Sequence, residues 1–542
     1  YRDDMDIYSE IVSLAKRRGF FYPAYDIYGG EAGFYDYGPL GTRLKHNVEE
    51  KWRSFYVLRE GCMEISTPVI TPYAIFKASG HVDKFLDVIL TCPECGFSSK
   101  EEAVEEPHRS KLECPECGKA LQHMDMNLMF ETETGVMNRR PAFLRPETAQ
   151  GIFVDFPILY KFSRKKLPLG IVQVGKGFRN EVSPRQSLYR LREFSMAEAE
   201  IFFDPENKTH QRFDEVTDDI LTVIPAGGTE QMVTIGSLLE SGTIGNQALA
   251  YYVALTRRFL LAVGIDEQKL RFRQHAPNEM AHYATDCWDA EILTALGWIE
   301  CVGIADRTAY DLSAHMKATG EDMTAFRLHD EAREETRQRV VPDMAKLGPE
   351  YKENAKNIAD QLAEMAPSGD SVRVKVAGED IEIGPEFYEV IEEDVTITGE
   401  NFIPHVVEPS YGIDRIIYCI LEHNYTYGEK EGETYITLQL PPDVAPITAG
   451  VFALISKDEL PDIAQDIADK LRGEGILTYY DDGGSIGRRY ARMDEVGTPF
   501  CITVDFDTLK DDTVTVRYRD TMKQVRVPRG ELAGWLHEQV TR

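Results

Sequence analysis

Two copies of the pentapeptide CPECG carry the plainest chemistry in this sequence. Cys92 and Cys95 form one Cys-x-x-Cys pair, and Cys114 and Cys117 form a second after 18 intervening residues. Four thiolates at this spacing suit a tetrahedral Zn²⁺. The Gly closing each knuckle admits a tight turn behind the second sulfur. A Cys₄ set leaves no open coordination position, so a metal here is structural and holds together a loop with too few apolar residues to fold alone. Iron with the same ligands and two redox dithiols are the competing uses of these cysteines. His108, between the knuckles, reads as a surface residue.

Two further segments combine arginines, carboxylates and an aromatic ring. The first runs Phe178-Arg179-Asn180-Glu181, then a loop containing Pro184 and Arg185, then Arg190 to Glu200. If both flanks are strands, side chains two apart share a face. An antiparallel hairpin then presents Arg179, Arg192, Phe194 and Glu198 to one pocket: an anion clamp, an aromatic platform and an ammonium acceptor. The second segment is Glu408-Pro409-Ser410-Tyr411-Gly412-Ile413-Asp414-Arg415, followed by an apolar helical run. Gly412 lets the strand-to-helix turn approach a ligand closely, and Arg415 near the helix start suits a phosphate oxygen. Each segment by itself also fits ordinary surface salt bridges. His282 and Asp286 stand four apart and read as a satisfied structural pair.

These residues need elements to position them. Leu44, Val48, Trp52, Phe55 and Tyr56 repeat at helical spacing within Thr42 to Arg59, and Cys62 to Thr67 reads as a strand halted by Pro68. The apolar face at Trp52 and Phe55 fits either an interface or a core. Gly170 to Val174 and Phe194 to Phe203 read as strands. The whole predicts an α+β plan, an antiparallel sheet flanked by helices. The expected divisions are a catalytic domain over 1–440, a cysteine module inserted at 88–124, an insertion at 317–400 and a smaller α/β domain over 441–542. Within the insertion, Glu350 to Met365 reads as a charged helix, with strands at Val372 to Val376 and Ile381 to Ile383. The C-terminal domain is expected to hold a hairpin at Lys510 to Asp512 and a last helix from Glu531.

The 542 residues are 43% hydrophobic, enough for two or three cored domains. No apolar run approaches the roughly 20 residues that span a bilayer. Tyr1 to Arg18 mixes acids and bases and reads as no signal peptide, and sparse cysteines in metal-binding pairs point to a reducing compartment, the cytoplasm. The chain does not open on Met, which suits trimming of a few residues. The formal charge of −31 disfavours a generic nucleic-acid binder. Yet from Arg139 to Arg192 there are 12 Arg and Lys against 3 Asp and Glu. A basic island in an acidic chain suits a focused polyanion site, unless those bases pair with acids elsewhere. The C-terminal domain is acidic, so RNA contact there would be local, through Arg488, Arg489 and Arg492.

Taken together, these motifs resemble the class II aminoacyl-tRNA synthetases. Thr42 to Pro68 is similar to the family's first motif, Phe178 to Glu200 to its FRxE hairpin, and Gly412 to Arg415 to its third. The stretches 143–150 (FLRPETAQ), 283–291 (YATDCWDAE), 297–307 (GWIECVGIADR) and 408–410 (EPS) resemble the glycine-specific members, of the homodimeric archaeal and eukaryotic type. Asp414 departs from the Glu or Gly that many class II members carry there, and puts no role in doubt. The resemblance implies ligation of glycine to its tRNA through a glycyl-adenylate. It implies that Arg179 holds the ATP α-phosphate and that Phe194 stacks on adenine opposite Arg415. Arg192 and Arg415 meet the terminal phosphates. Glu181 touches the adenine or the tRNA end, and Glu300 helps hold Mg²⁺. Glu198, Glu408 and Ser410 surround the glycine ammonium, with Arg145 and Glu147 lining the same pocket. The last hundred residues resemble the anticodon-binding domain shared by the glycine, threonine, proline and histidine enzymes. A synthetase for another amino acid of this subgroup and a catalytically dead RNA-binding paralogue are the rival readings. Amino-acid-dependent pyrophosphate exchange separates them.

Overall fold

The structure is a computed structural model. It describes all residues except 1–3, 102–103, 183, 185, 281–282, 366–370, 377–378, 431–432 and 542. His282 and Arg185, singled out above, lie outside the described residues. Two compact units emerge, one of residues 1–323 with 403–542 and one of residues 324–402.

The first unit is organised on a nine-stranded sheet. In chain order its strands are β1 (Met63–Glu64), β2 (Leu169–Phe178), β3 (Glu193–Phe203), β4 (Ile220–Ile224), β5 (Gln231–Thr234), β6 (Leu270–Gln274), β7 (Asp286–Thr294), β8 (Gly297–Thr308) and β9 (His405–Gly412). In space they run β5-β4-β6-β7-β8-β9-β3-β2-β1. Pairing is antiparallel except for β2 with β1 and β4 with β6. The two segments with chemistry, β3 and β9, are therefore adjacent, although more than 200 residues separate them in sequence.

Helices cover this sheet. The helix α1 (Pro39–Arg53) starts with Pro in its first turn, where a missing N–H costs nothing. Leu44, Val48 and Trp52 are fully buried at four-residue spacing. Trp52 stacks on Tyr56 at 4.6 Å, and Phe55 packs edge-on against Phe259. The face bearing Trp52 thus belongs to the core of this chain. The helix continues as a π-turn, Ser54–Arg59. The strand expected at 62–67 is only Met63–Glu64. Four further helices belong to this unit: α2 (Ala149–Phe162), α3 (Gln247–Ala262), α4 (Tyr310–Thr319) and α5 (Ile413–His423), which follows β9 directly.

Over the last hundred residues a five-stranded sheet has its own core. Its three leading strands, Thr478–Tyr480, Ala449–Ala453 and Phe500–Val504, are parallel, and a hairpin completes it. That hairpin joins Thr513–Tyr518 to Gln524–Pro528, while Thr508–Asp511 is a short helix. The turn expected at 510–512 is thus a helix end, with Asp512 in the left-handed conformation. The last helix is Leu532–Thr541.

The unit 324–402 contains a long antiparallel ribbon, Ala325–Pro342 with Tyr388–Phe402. A small cluster around Leu347, Ile358 and Val374 packs the helix Ala355–Ala363 and the hairpin Val372–Val376 with Glu379–Ile383.

Candidate functional site

The cysteine module folds as a knuckle pair. In each, the Gly amide donates to the first cysteine's carbonyl, Gly96 to Cys92 and Gly118 to Cys114, both at 2.9 Å. Gly96 and Gly118 take φ of +78° and +69°, which favours Gly. The four sulfurs lie within 4.8 Å of one another, with Cys92 to Cys117 at 3.5 Å and Cys95 to Cys114 at 3.6 Å. Four sulfurs bonded at about 2.3 Å to one tetrahedral ion stand about 3.8 Å apart. The cluster therefore fits a structural metal. His108 is not part of it.

A cavity of about 660 Å³ opens over the central strands. Its floor can be read from the strand register. Asp289, Gly303, Ser410 and Glu198 form one row across β7, β8, β9 and β3, because each pairs with the next. Cys287, Ala305 and Glu408 form the row beside it, and Glu200 shares the face of Glu198. Phe194, Met196 and Glu198 all face the cavity, as strand alternation requires.

At one end stand the acids. Glu198 is buried, and its Oε2 accepts from the Thr148 amide at 2.6 Å and hydroxyl at 2.5 Å. Its Oε1 accepts from Ser410 Oγ at 2.6 Å. Glu408 accepts from Arg307 Nη1 at 2.9 and 2.8 Å. Arg307 is fully buried, pairs also with Asp311, and lies 3.8 Å over the Tyr283 ring. Burial pushes the Glu408 carboxyl up to about 7; Arg307 opposes that push and Glu198 adds to it. Burial and the neighbouring Glu408 hold the Glu200 carboxyl well above its ordinary range. Neither Glu200 oxygen has a hydrogen-bond partner among the described residues. Glu147 goes the other way: burial would raise it, but His81 and Arg307 hold it well below. Carboxyl groups outnumber guanidiniums here, so the pocket is built to receive a cation.

At the other end stand arginines. Arg179 lies between two rings, 5.3 Å from Phe85 and 5.4 Å from Phe194. Arg415, in the first turn of α5, donates to Tyr189 O at 3.0 Å and Glu300 O at 2.6 Å. A bulge in the β7–β8 pairing at Ala290/Glu291 sets the local register so that Glu300 and Cys301 both line the cavity. Glu181 lines the rim, paired to Lys100 of the cysteine module at 3.3 Å.

Two expected members are engaged by other protein groups. Arg192 precedes β3, so strand alternation does not aim it; its guanidinium takes Glu31 at 2.9 Å and Ala32 O at 3.1 Å. Arg145 lies on the cavity side of the sheet, over Gly175, which pairs with Met196, and donates to Lys176 O at 2.9 Å and to Thr67 O and Oγ1, both at 3.0 Å. A Cβ at Gly175 would collide with its guanidinium. Three residues outside the expected set prove central. Arg307 stands in the ADR of the 297–307 stretch and Thr148 in PET, so both had a sequence signal. Asp414 accepts from the Ser195 amide at 2.5 Å and from Tyr37, tying α5 to β3. Its only signal was its place beside Arg415.

The basic island divides. Arg139, Lys176 and Arg192 pair with Glu133, Glu193 and Glu31. Lys161, Arg164, Lys165 and Lys166 are exposed at the end of α2. On the helix Ile486–Glu495 of the C-terminal domain, Arg489 is buried on Ala453 O, and Arg492 pairs with Asp481. Of the three arginines expected to meet RNA, only Arg488 is exposed.

Comparison with known proteins agrees with this architecture. Residues 130–340 match the model of the class II tRNA synthetase core domain (G, H, P, S and T), and 444–539 match an anticodon binding domain. The glycine--tRNA ligase of Methanothrix thermoacetophila is 48% identical over 96% of this chain and 95% of its own. That of Methanocaldococcus jannaschii is 46% identical over 99% and 100%. Archaeoglobus fulgidus has one at 46%, over 98% and 96%. A threonyl-tRNA synthetase structure from Cryptosporidium parvum is similar in fold (TM-score 0.55, 17% identity, 98% of each chain). So is prolyl-tRNA synthetase from Giardia lamblia in complex with prolyl-adenylate (0.54, 15%, 98% of this chain and 74% of that one).

Proposed function

Since the chain belongs to the glycine--tRNA ligase family of class II aminoacyl-tRNA synthetases, we propose that the cavity activates glycine with ATP and passes it to tRNA(Gly). The observation that carries this reading is the polarity of one cavity. Glu198, Glu408 and Ser410 line one end; Arg179, Phe194 and Arg415 line the other.

In this reading the glycine ammonium sits among Glu198, Glu408 and Ser410, with Glu147 in the same wall. Glycine offers no side chain to grip. A single extra methyl is worth only about 1–3 kcal/mol in an apolar pocket, so rejection of alanine must come from crowded polar walls and lost hydrogen bonds. Thr148 and Arg307 fix the two carboxylates before substrate arrives, which removes a reorganisation cost. Adenine stacks on Phe194 opposite Arg415, Arg179 holds the α-phosphate, and Glu181 stands at the adenine or tRNA side. Arg415 also meets the terminal phosphates. Arg192 orders the loop at 31–33 instead, and Arg145, over Gly175, lines the glycine side with Glu147.

The glycine carboxylate then attacks the α-phosphorus, the bond to pyrophosphate breaks, and glycyl-adenylate remains. A terminal ribose hydroxyl of tRNA displaces AMP. No protein nucleophile is needed; alignment and fixed positive charge do the work. Glu300 opens onto the cavity and suits Mg²⁺, which when bound with ATP neutralises phosphate charge. The Cys₄ cluster suits zinc. We further assign residues 1–440 to catalysis, with the cysteine module (88–124) and the 317–400 segment inserted, and 441–542 to the anticodon. The active form is a cytoplasmic homodimer. No described helix is long and apolar enough to cross a membrane.

The test is glycine-dependent ATP–pyrophosphate exchange, with alanine and serine as controls. Arg179→Ala should stay folded and lose exchange by orders of magnitude; near-normal exchange would sink its role. Exchange driven equally by alanine would sink the glycine reading.

A further inference from the structure

The floor of the cavity holds a second group of metal-ligand side chains. We propose that His275, Cys287 and Asp289 form a binding site for a borderline divalent cation of the Zn²⁺ type, with one coordination position open to the cavity. The inference does not rest on the functional reading above.

The site is a product of strand register. Gln274 pairs with Trp288, so His275 stands opposite Cys287, and its amide donates to the Cys287 carbonyl at 2.9 Å. Asp289 lies two residues along the same face of β7. The ring nitrogen, thiol and carboxylate oxygen that these residues offer all lie within 4.8 Å of one another. Ligands bonded at about 2.0–2.3 Å to one tetrahedral ion stand less than that distance apart. Imidazole, thiolate and carboxylate together select a borderline metal and disfavour Mg²⁺ or Ca²⁺, which take oxygen ligands.

Three further observations favour an occupant. The residues paired across from Asp289 and Cys287 on β8 are Gly303 and Ala305, the smallest available. A Cβ at Gly303 would meet nothing within 4 Å, so the space above the trio is open. Buried His275 Nδ1 has no hydrogen-bond partner among the described residues; Nε2 and Asp289 Oδ2, hydrogen-bonded at 2.6 Å, must part to about 3.3 Å to share one ion. The same Asp289 oxygen accepts from Arg273 at 3.3 Å, and Arg273 is itself held by Glu291 and Glu279. This is the outer layer of hydrogen bonds that orients ligands in metal sites. All three residues line the cavity, so a fourth ligand can come from solvent or substrate. Ser410 is two strands away, about 10 Å, so the cation would not sit in the ammonium pocket.

The experiment uses the full chain with its Cys₄ cluster first filled with zinc. Co²⁺ is then added and the thiolate-to-cobalt charge-transfer band recorded, with Zn²⁺ uptake measured in parallel by equilibrium dialysis. The wild-type protein should show the band and take up one zinc more than the Cys₄ cluster needs. Cys287→Ser should abolish the band, and His275→Asn should weaken binding at least about tenfold, the least that loss of even an outer-shell partner costs. No band in the wild type, or a band unchanged in both variants, overturns the proposal. Should Cys287→Ser fail to fold by circular dichroism, the wild-type zinc count decides. Only the Cys₄ equivalent bound would be an equally firm refutation.

Discussion

Replacing Glu198 by Gln tests the ammonium pocket most directly, because the structure separates charge from shape there. Glu198 accepts three hydrogen bonds: two on Oε2 from Thr148, and one on Oε1 from Ser410. In Glu198→Gln the amide oxygen can keep both Thr148 bonds. The NH₂ group then faces Ser410 Oγ, and a hydroxyl can turn from donor to acceptor. Shape and bonding survive; one negative charge goes. A hydrogen bond to a charged group is worth about 1.5–3 kcal/mol, against about 0.5–1.5 for a neutral one. Loss of the carboxylate should therefore cost the glycine ammonium about 1–3 kcal/mol, or roughly five- to 150-fold in glycine KM. Stability should hold or rise, since Glu198 pushes up its neighbours Glu200 and Glu408. The assay is pyrophosphate exchange with glycine and ATP varied separately, beside a thermal melt. A glycine KM within about twofold of wild type, with an intact melt, would show that Glu198 does not hold the ammonium. So would an increase confined to the KM for ATP.

Glu408 predicts a pH dependence. Its carboxyl is pushed up to about 7 by burial and Glu198, so below that pH it is protonated and a poor partner for an ammonium. Glycine KM should fall as pH rises through about 7, and Glu408→Gln should flatten the profile. The linkage to stability has the opposite sign: a folded pKa above the free carboxylate's makes the Glu408 contribution weaken between about 4.5 and 7, and glycine should restore it. Arg307→Met should be severe. It strands Asp311 and Glu408, and breaking a buried pair costs about 3–5 kcal/mol, which a denaturant titration would read. Asp414→Ala leaves the Ser195 amide and Tyr37 hydroxyl without their acceptor, at about 1–3 kcal/mol by the same titration; an unchanged midpoint would refute the tie. Stripping metal from the cysteine module should expose residues 86–127 to limited proteolysis and release the Lys100–Glu181 pair at the cavity rim.

The sequence was most readable where chemistry is local. A knuckle needs its two cysteines and a Gly within five residues, and all of that is printed in CPECG. A strand's alternation fixes which side chains share a face, so Phe194 and Glu198 could be placed together before the fold was known. Alternation fails where strands end. Arg192 belongs to the same written motif as Phe194, yet β3 begins one residue later and the arginine turns to Glu31. The Arg145 contacts were hidden differently: nothing in its own neighbourhood shows that Thr67 lies beside it. The ribbon Ala325–Pro342 with Tyr388–Phe402 was missed because charged, exposed strands lack an apolar period to read.

The ambiguity at Trp52 has the same root. An apolar helix face needs a cover, but periodicity does not name it. Here Tyr56 on the continuing π-turn and, from two distant elements, Tyr252 and Phe259 of α3 and Tyr411 of β9 supply the cover. Tyr411 also stands in β9 between the cavity-facing Ser410 and Gly412, on the opposite face of the strand. Its hydroxyl is hydrogen-bonded to Tyr56 and Thr256, both at 2.8 Å. One strand thus carries Glu408 and Ser410 on one face and its anchorage to α1 and α3 on the other. The core beneath is what holds Glu408 and Ser410 in register with Glu198, so shortening Tyr411 should loosen the ammonium pocket without touching it.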